Sequence, residues 1–182
     1  MRTPLMLFLG WLAGLSTVSA VGLAIVEGGL FDATAITPHY PPVAWVTHHA
    51  MIRSVDVRAA RMARPPADPE AIRRGFRLYE ANCVMCHGGP GVARAAWVSG
   101  MTPGPPYLLD AARRWTPGEL DHLVGKGVKM TGMPAWSPTL SQPELADMVT
   151  FLEALPDITP AQYARLRSAE GSGGRAFKTA AR

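Results

Sequence analysis

Two cysteines in 182 residues are too few for the multi-bridge framework of a small secreted scaffold. Charge is also sparse: 18% of residues are Asp, Glu, Lys or Arg, below the roughly one quarter usual for a soluble domain. With 48% hydrophobic residues and a mean hydropathy of +0.07, the chain is still not a wholly disordered one. Its 18 Gly and 17 Pro follow no G-X-Y period, which excludes collagen. The net charge of +4 and pI near 9.4 are too weakly basic to indicate nucleic acid as a partner. No stretch of useful length alternates with the period of a strand, and no segment repeats. A helical chain remains, with a single place where cysteine can do chemistry.

The apolar residues concentrate at the N-terminus. Leu5 to Val26 is a run of 22 residues without charge, enough to cross roughly 30 Å of hydrocarbon as a helix. Arg2 precedes it, and Glu27 and Asp32 follow, which favours an inside N-terminus and export of the rest. A cleaved secretory signal is the rival reading, since Val18-Ser19-Ala20 resembles a small-residue cleavage site. The run continues through Val21, Leu23, Ile25 and Val26, longer than a signal needs, so residues 1–26 are read as a retained transmembrane anchor. Residues 27–67 read as a connector. Thr37-Pro38-His39-Tyr40-Pro41-Pro42 cannot continue a helix. A short helix is expected from about Val43 to Met62, with Trp45, Met51, Ile52 and Val55 on a rough stripe and Arg53, Arg58, Arg61 and Arg64 elsewhere. Such a helix could lie on a membrane surface, pack on a partner, or be part of a plain tether. Pro65-Pro66 closes the segment.

The compact part is expected over 68–158, with a tail over 159–182 that is disordered after about Ser168, where Gly, Ser, Ala and basic residues dominate. Asp68 followed by Pro69 predicts a helix start, and that helix places Ile72, Gly75, Phe76 and Tyr79 near one face. Thr116-Pro117-Gly118-Glu119 carries a capping-box pattern, with Leu120, Leu123 and Val124 as the buried side. Ser141 with Glu144 repeats the pattern ahead of Leu145, Met148, Val149, Leu152 and Leu155, and Pro156 stops that helix. Three main helices in about ninety residues make a thin core, which ordinarily needs a staple, a metal or a cofactor.

Cys83-Val84-Met85-Cys86-His87 supplies it. The pattern C-x-x-C-H reads as the attachment site of a c-type haem. Two thiols three residues apart at a helix end reach the two vinyl groups on one porphyrin edge, and the adjacent His87 then lies under the iron as an axial ligand. A thioredoxin-type redox pair would need no such histidine and would sit beside a βαβ pattern that is missing here. A zinc site would want four ligands, and there is no second cysteine pair.

For the sixth ligand the best candidate is Met133, between Gly132 and Pro134, whose irregular backbone would turn a thioether towards a metal. Met130, Met101 and His122 are its rivals, and an iron left open on that side is the remaining alternative. His39, His48 and His49 precede the compact part and read as interfacial or solvated.

In this order the residues resemble the class I monohaem cytochrome c family: a helix with Gly75 and Tyr79, then Cys83-x-x-Cys86-His87, a Pro-containing loop, a helix, Gly132-Met133-Pro134, and a C-terminal helix. The resemblance covers roughly residues 69 to 155. It implies an all-α cytochrome c fold, three main helices around one covalent haem c, preceded by one N-terminal transmembrane helix. It implies that the first and last helices cross near Gly75 and Phe151. It also implies that Gly104-Pro105-Pro106-Tyr107-Leu108 is the loop whose Pro106 carbonyl meets the second ring nitrogen of His87, with Leu108 on the macrocycle. Trp115 and Trp136 would pack near the haem edge or serve as ordinary core.

Together with the anchor, the resemblance points to the membrane-tethered cytochromes of bacteria, in the inner (cytoplasmic) membrane with the haem domain on the periplasmic side. The expected role is one-electron transport in a respiratory chain. A quinol-oxidising complex or a periplasmic dehydrogenase could donate, and a terminal oxidase could accept. Lys126 and Lys129 could steer acidic partners. No catalytic acid/base or nucleophile pair stands beside the motif, so an enzyme acting alone is not expected. The alternatives are a haem-based ligand-binding or sensor module, if Met133 leaves the iron open, and a fixed haem subunit of a larger dehydrogenase or oxidase complex.

Overall fold

A computed structural model describes residues 2–171 apart from 62, 64, 65 and 67. The chain forms two compact units, one ending at Thr37 and the other beginning at Pro38. The first is built on α1 (Arg2–Glu27), exposed along its described length. Among the described residues α1 is the one helix long and apolar enough to cross a membrane.

The second unit holds α2 (Pro41–Arg58), α3 (Pro69–Asn82), α4 (Val84–His87), α5 (Ala111–Arg114), α6 (Pro117–Lys126), α7 (Gln142–Ala154) and α8 (Pro160–Gly171). There is no strand among the described residues, only an isolated bridge between Gly89 and Val92. The architecture is the all-α one anticipated from the sequence.

Its helices start where local chemistry directs. Asp68 accepts from the backbone N–H groups of Glu70 and Ala71 at 3.1 and 3.3 Å, with Pro69 in the first turn of α3. Thr116 with Glu119 and Ser141 with Glu144 close reciprocal capping boxes at the starts of α6 and α7. Each apolar stripe then finds its partner. Phe76 and Tyr79 from α3 pack with Leu145, Met148, Val149 and Phe151 from α7, all nearly inaccessible to water. Phe76 meets Phe151 edge-on at 5.7 Å between ring centroids.

The α3–α7 crossing depends on Gly75. A Cβ built there would run into the Asp147 carbonyl oxygen and lie 2.7 Å from the Phe151 Cβ. One residue earlier, Arg74 donates twice to the Asp147 carboxylate, at 2.7 and 2.8 Å. The pair fixes the register in which backbone meets backbone.

The second unit includes helices on both sides of residues 68–158. The short helix expected from about Val43 to Met62 is α2, Pro41–Arg58, which packs on α6 and buries Val55. Its start at Pro41 follows from prolines in the first turn, where no N–H is needed. Past residue 158 the chain forms α8, whose Tyr163 is fully buried. Thr159 and Gln162 cap α8 reciprocally, the Gln162 Oε1 accepting from the Thr159 N–H at 2.8 Å. Met62, Arg64, Pro65 and the tail over 172–182 lie outside the described residues.

Candidate haem centre

The last turn of α3 hands the chain to α4 at Cys83, whose N–H donates to the Tyr79 carbonyl at 2.8 Å. The Cys83 carbonyl in turn accepts from the N–H groups of Cys86 at 3.1 Å and His87 at 2.9 Å. This single turn sets two half-buried, free thiols three residues apart, with His87 directly after them. Burial, reinforced by Cys86, pushes the Cys83 thiol up to about 12, so it is held as S–H at neutral pH.

His87 is buried, and its Nδ1 lies 2.7 Å from the Pro106 carbonyl oxygen. A carbonyl can only accept, so Nδ1 carries the proton and donates. Burial holds His87 below the usual imidazole range; the Pro106 bond opposes this and the Arg94 cation adds to it. The ring is therefore neutral at pH 7, and Nε2 presents a free lone pair, the form a metal requires. Tyr107, next in the loop, lies 59% exposed beneath the Arg94 guanidinium, which sits 3.4 Å from the ring centroid.

Met133 sits in a loop held at both ends. The Val128 N–H donates to the Met133 carbonyl at 3.2 Å, and the Met133 N–H donates to Thr131 Oγ1 at 3.1 Å. Downstream, Trp136 and Ser137 donate to the carbonyls of Val124 and Gly125 at 3.2 and 3.0 Å, which fastens the loop to α6. Gly127 starts the loop at φ +67°, where a Cβ would lie 2.6 Å from the Ala135 nitrogen.

The rival ligands separate by exposure. Met130 is 87% exposed, whereas Met133 is half-buried against the core. Met101 is half-buried too, and its Cε occupies the space a Gly132 Cβ would need, which places it beside the Met133 loop. His122 is half-buried on α6.

Of the six residues read from the sequence, His87 and Pro106 are joined directly, while Cys83, Leu108 and Met133 pack on one core cluster without being fully covered. Cys86 follows Cys83 on the same turn. Trp115 and Trp136 share that partly covered condition. Two free thiols, a histidine with one nitrogen committed and one free, and an apolar wall left partly open fit a flat, apolar, metal-bearing group. Among the described residues no three His, Cys, Asp or Glu side chains gather as a metal site of their own.

Sequence reasoning passed over Tyr79, Arg94 and Tyr163 as neighbours of the motif. The Tyr79 hydroxyl donates to the Gly88 carbonyl at 2.6 Å, and burial raises its ionisation well above the ordinary phenol range. For Tyr163 the signal was Thr159-Pro160-Ala161-Gln162, a helix start of the same kind as Thr116-Pro117-Gly118-Glu119.

Residues 70–152 match the family described as cytochrome c oxidase, cbb3-type, subunit III. The chain is 28% identical over 149 residues to the cbb3-type cytochrome c oxidase subunit FixPc of Rhizobium leguminosarum bv. viciae, covering 80% of this chain and 49% of that one. It is 29% identical over 97 residues to the corresponding FixP subunit of Sinorhizobium medicae, covering 52% and 31%. Over 91 residues it is 36% identical to a quinohemoprotein alcohol dehydrogenase of Comamonas testosteroni, covering 50% of this chain and 12% of that one. The chain thus spans about half the length, or less, of the curated relatives it matches. No solved structure matches it.

Proposed function

We propose that this chain, with its apolar N-terminal helix and its family match over residues 70–152, is a c-type cytochrome that carries single electrons through one covalent haem c on the periplasmic side of a bacterial inner membrane. The observation that carries the reading is the 2.7 Å bond from His87 Nδ1 to the Pro106 carbonyl, one residue beyond a pair of free thiols.

Each residue has a part. Cys83 and Cys86 would hold the group as thioethers, sulfur and hydrogen of each thiol adding across one vinyl double bond. His87 would hold the metal through Nε2, while Pro106 fixes the tautomer and aim of the ring. Met133 would offer its thioether sulfur as the second protein ligand. Leu108, Trp115 and Trp136 keep water away and lower the local dielectric. When bound, the haem supplies a one-electron Fe(II)/Fe(III) couple, whose potential His/Met ligation sets relatively high. With His87 and Met133 both committed to it, the group would be closed to small ligands and would reorganise little on electron transfer.

The partners fall into two arrangements. As a tethered shuttle, the protein would take electrons from a quinol-oxidising complex or a periplasmic dehydrogenase and deliver them to a terminal oxidase. As a fixed subunit, it would serve one oxidase permanently; the relatives named as oxidase subunits favour this arrangement. Mass spectrometry of the protein extracted from membranes tests the core of the proposal. The expected result is one added haem mass and a retained N-terminal helix. Haem that extracts into acidified solvent would refute covalent attachment. Co-purification of oxidase subunits in mild detergent separates the fixed subunit from the shuttle.

A further inference from the structure

We infer that α8 positions the haem's proximal histidine: the Tyr163 ring, pressed against Gly89, holds in place the turn that follows His87. The inference rests on the reading of His87 as an axial ligand and goes beyond it by giving a task to a helix outside the family match, which ends at 152.

The turn over 88–92 is enclosed on three sides. From α3, the Tyr79 hydroxyl donates to the Gly88 carbonyl at 2.6 Å. From α8, the Tyr163 ring lies so close that a Cβ on Gly89 would stand 2.7 Å from its Cζ and 2.8 Å from its Oη. Ahead of it Pro160 approaches Gly91, where a Cβ would meet the proline Cβ at 3.1 Å. The turn itself is closed by paired bonds, Gly89 N–H to Val92 carbonyl at 3.0 Å and Val92 N–H to Gly89 carbonyl at 2.9 Å. Gly88 and Gly91 have φ of +68° and +74°, so glycine serves their conformation, but Gly89 is not in the left-handed region. At Gly89 space is what excludes a side chain, and Tyr163 occupies that space.

Tyr163 is itself firmly held. Its hydroxyl donates to Glu80 Oε1 at 2.6 Å, and Arg167 Nε, one turn further along α8, donates to Glu80 Oε2 at 2.8 Å. Its ring meets Phe76 edge-on at 5.2 Å between centroids. One carboxylate on α3 thus clamps α8 at two points, and the buried ring between them transmits that rigidity to the residues bonded to His87. Because His87 Nδ1 must stay aimed at the Pro106 carbonyl, a shift of this turn lengthens or bends that bond. A weaker bond makes the imidazole a poorer donor, which disfavours the ferric state.

The test uses the full-length holoprotein from membranes and three variants: Tyr163→Phe, Tyr163→Leu and Gly89→Ala. Low-temperature EPR of the ferric protein reports the axial field, and potentiometry gives the midpoint. Tyr163→Phe keeps the ring and leaves the g values unchanged, with only a lower melting temperature. Tyr163→Leu shifts and broadens the largest g value and raises the midpoint. Gly89→Ala does the same in a chain that keeps Tyr163, and the double variant combining Gly89→Ala with Tyr163→Leu falls short of the sum of the singles. If the Tyr163→Leu protein fails to accumulate, Gly89→Ala carries the test by itself. A lowered melting temperature with unchanged g values and midpoint in Gly89→Ala and Tyr163→Leu would overturn the inference, leaving α8 as packing only. A wild-type protein lacking the haem mass or a histidine-ligated low-spin signal would instead overturn the reading of His87, and the two failures are told apart in the first spectrum.

Discussion

Replacing Gly75 by alanine sets two effects of opposite sign against each other. Alanine is about 1 kcal/mol better than glycine inside a helix, so at an ordinary position of α3 the change would stabilise. At the crossing, however, the new methyl would collide with the Asp147 carbonyl and stand 2.7 Å from the Phe151 Cβ, well inside the 3.4 Å at which ordinary contact begins. The obstacle is helix backbone and the root of Phe151, which cannot swing aside as a side-chain tip would. Relief requires α3 and α7 to separate, which loosens Phe76, Tyr79 and Phe151 together. Overpacking of this kind costs about 3 kcal/mol or somewhat more, leaving a net loss of about 2 kcal/mol. At roughly 4 °C per kcal/mol for a domain of this size, the melting temperature falls by about 8 °C. The assay is thermal unfolding of the ferric holoprotein, followed by far-ultraviolet circular dichroism and in the Soret band. A Gly75→Ala protein melting at or above the wild-type temperature would refute the close crossing, because helix propensity would then have won.

Three other substitutions probe the centre and its supports. Met133→Ala abolishes the methionine-to-iron charge-transfer band and lowers the potential, while Met101→Ala leaves both in place; a band that survives in Met133→Ala and vanishes only when Met101 is also removed would move the ligand to Met101. Gly127→Ala must adopt a left-handed conformation against the Pro134–Ala135 backbone, so it destabilises by at least about 1–2 kcal/mol and weakens the same band, read by absorption at increasing urea. Ser141→Ala removes the cap of α7 at a cost of about 1 kcal/mol, and that cost depends on pH. Ser141, first by its hydroxyl and then by its backbone N–H, holds the Glu144 carboxyl below the ordinary range. A depressed folded value means the contribution is complete above the unfolded value, near 4.5, and is lost as pH falls through the lower folded one. Wild type and variant therefore differ most at neutral pH and converge in acid, once the pH has fallen through the lowered folded value, as urea titrations at several pH values will show.

The motif and the helix starts around it were legible because they are encoded locally. C-x-x-C-H is a contiguous signal, and the three helix starts at Asp68, Thr116 and Ser141 are read from residues within one turn. The stripes of α3 and α7 gave the core faces, while the crossing at Gly75 came from the family resemblance rather than from spacing. Tertiary relationships were harder. The α2 stripe was equally compatible with a membrane, a partner or this chain's own α6, and periodicity cannot choose among receivers for an apolar face. The polar composition around Ser168 hid α8, whose apolar contacts with the core are Tyr163 and Leu166, with Ile158 just ahead of it. The Arg94–Tyr107 stack joins residues thirteen apart through a loop whose path no spacing rule gives.

The acceptor that orients His87 is a main-chain carbonyl. Every amino acid brings one, so no substitution at 106 deletes it, and a mutational scan there will record tolerance. The instruction is written in the length and course of the Gly104–Leu108 strip. Removing or adding a single residue in that strip would misalign the imidazole where side-chain changes fail to, so divergence that preserves spacing leaves this anchor intact even when the letters change.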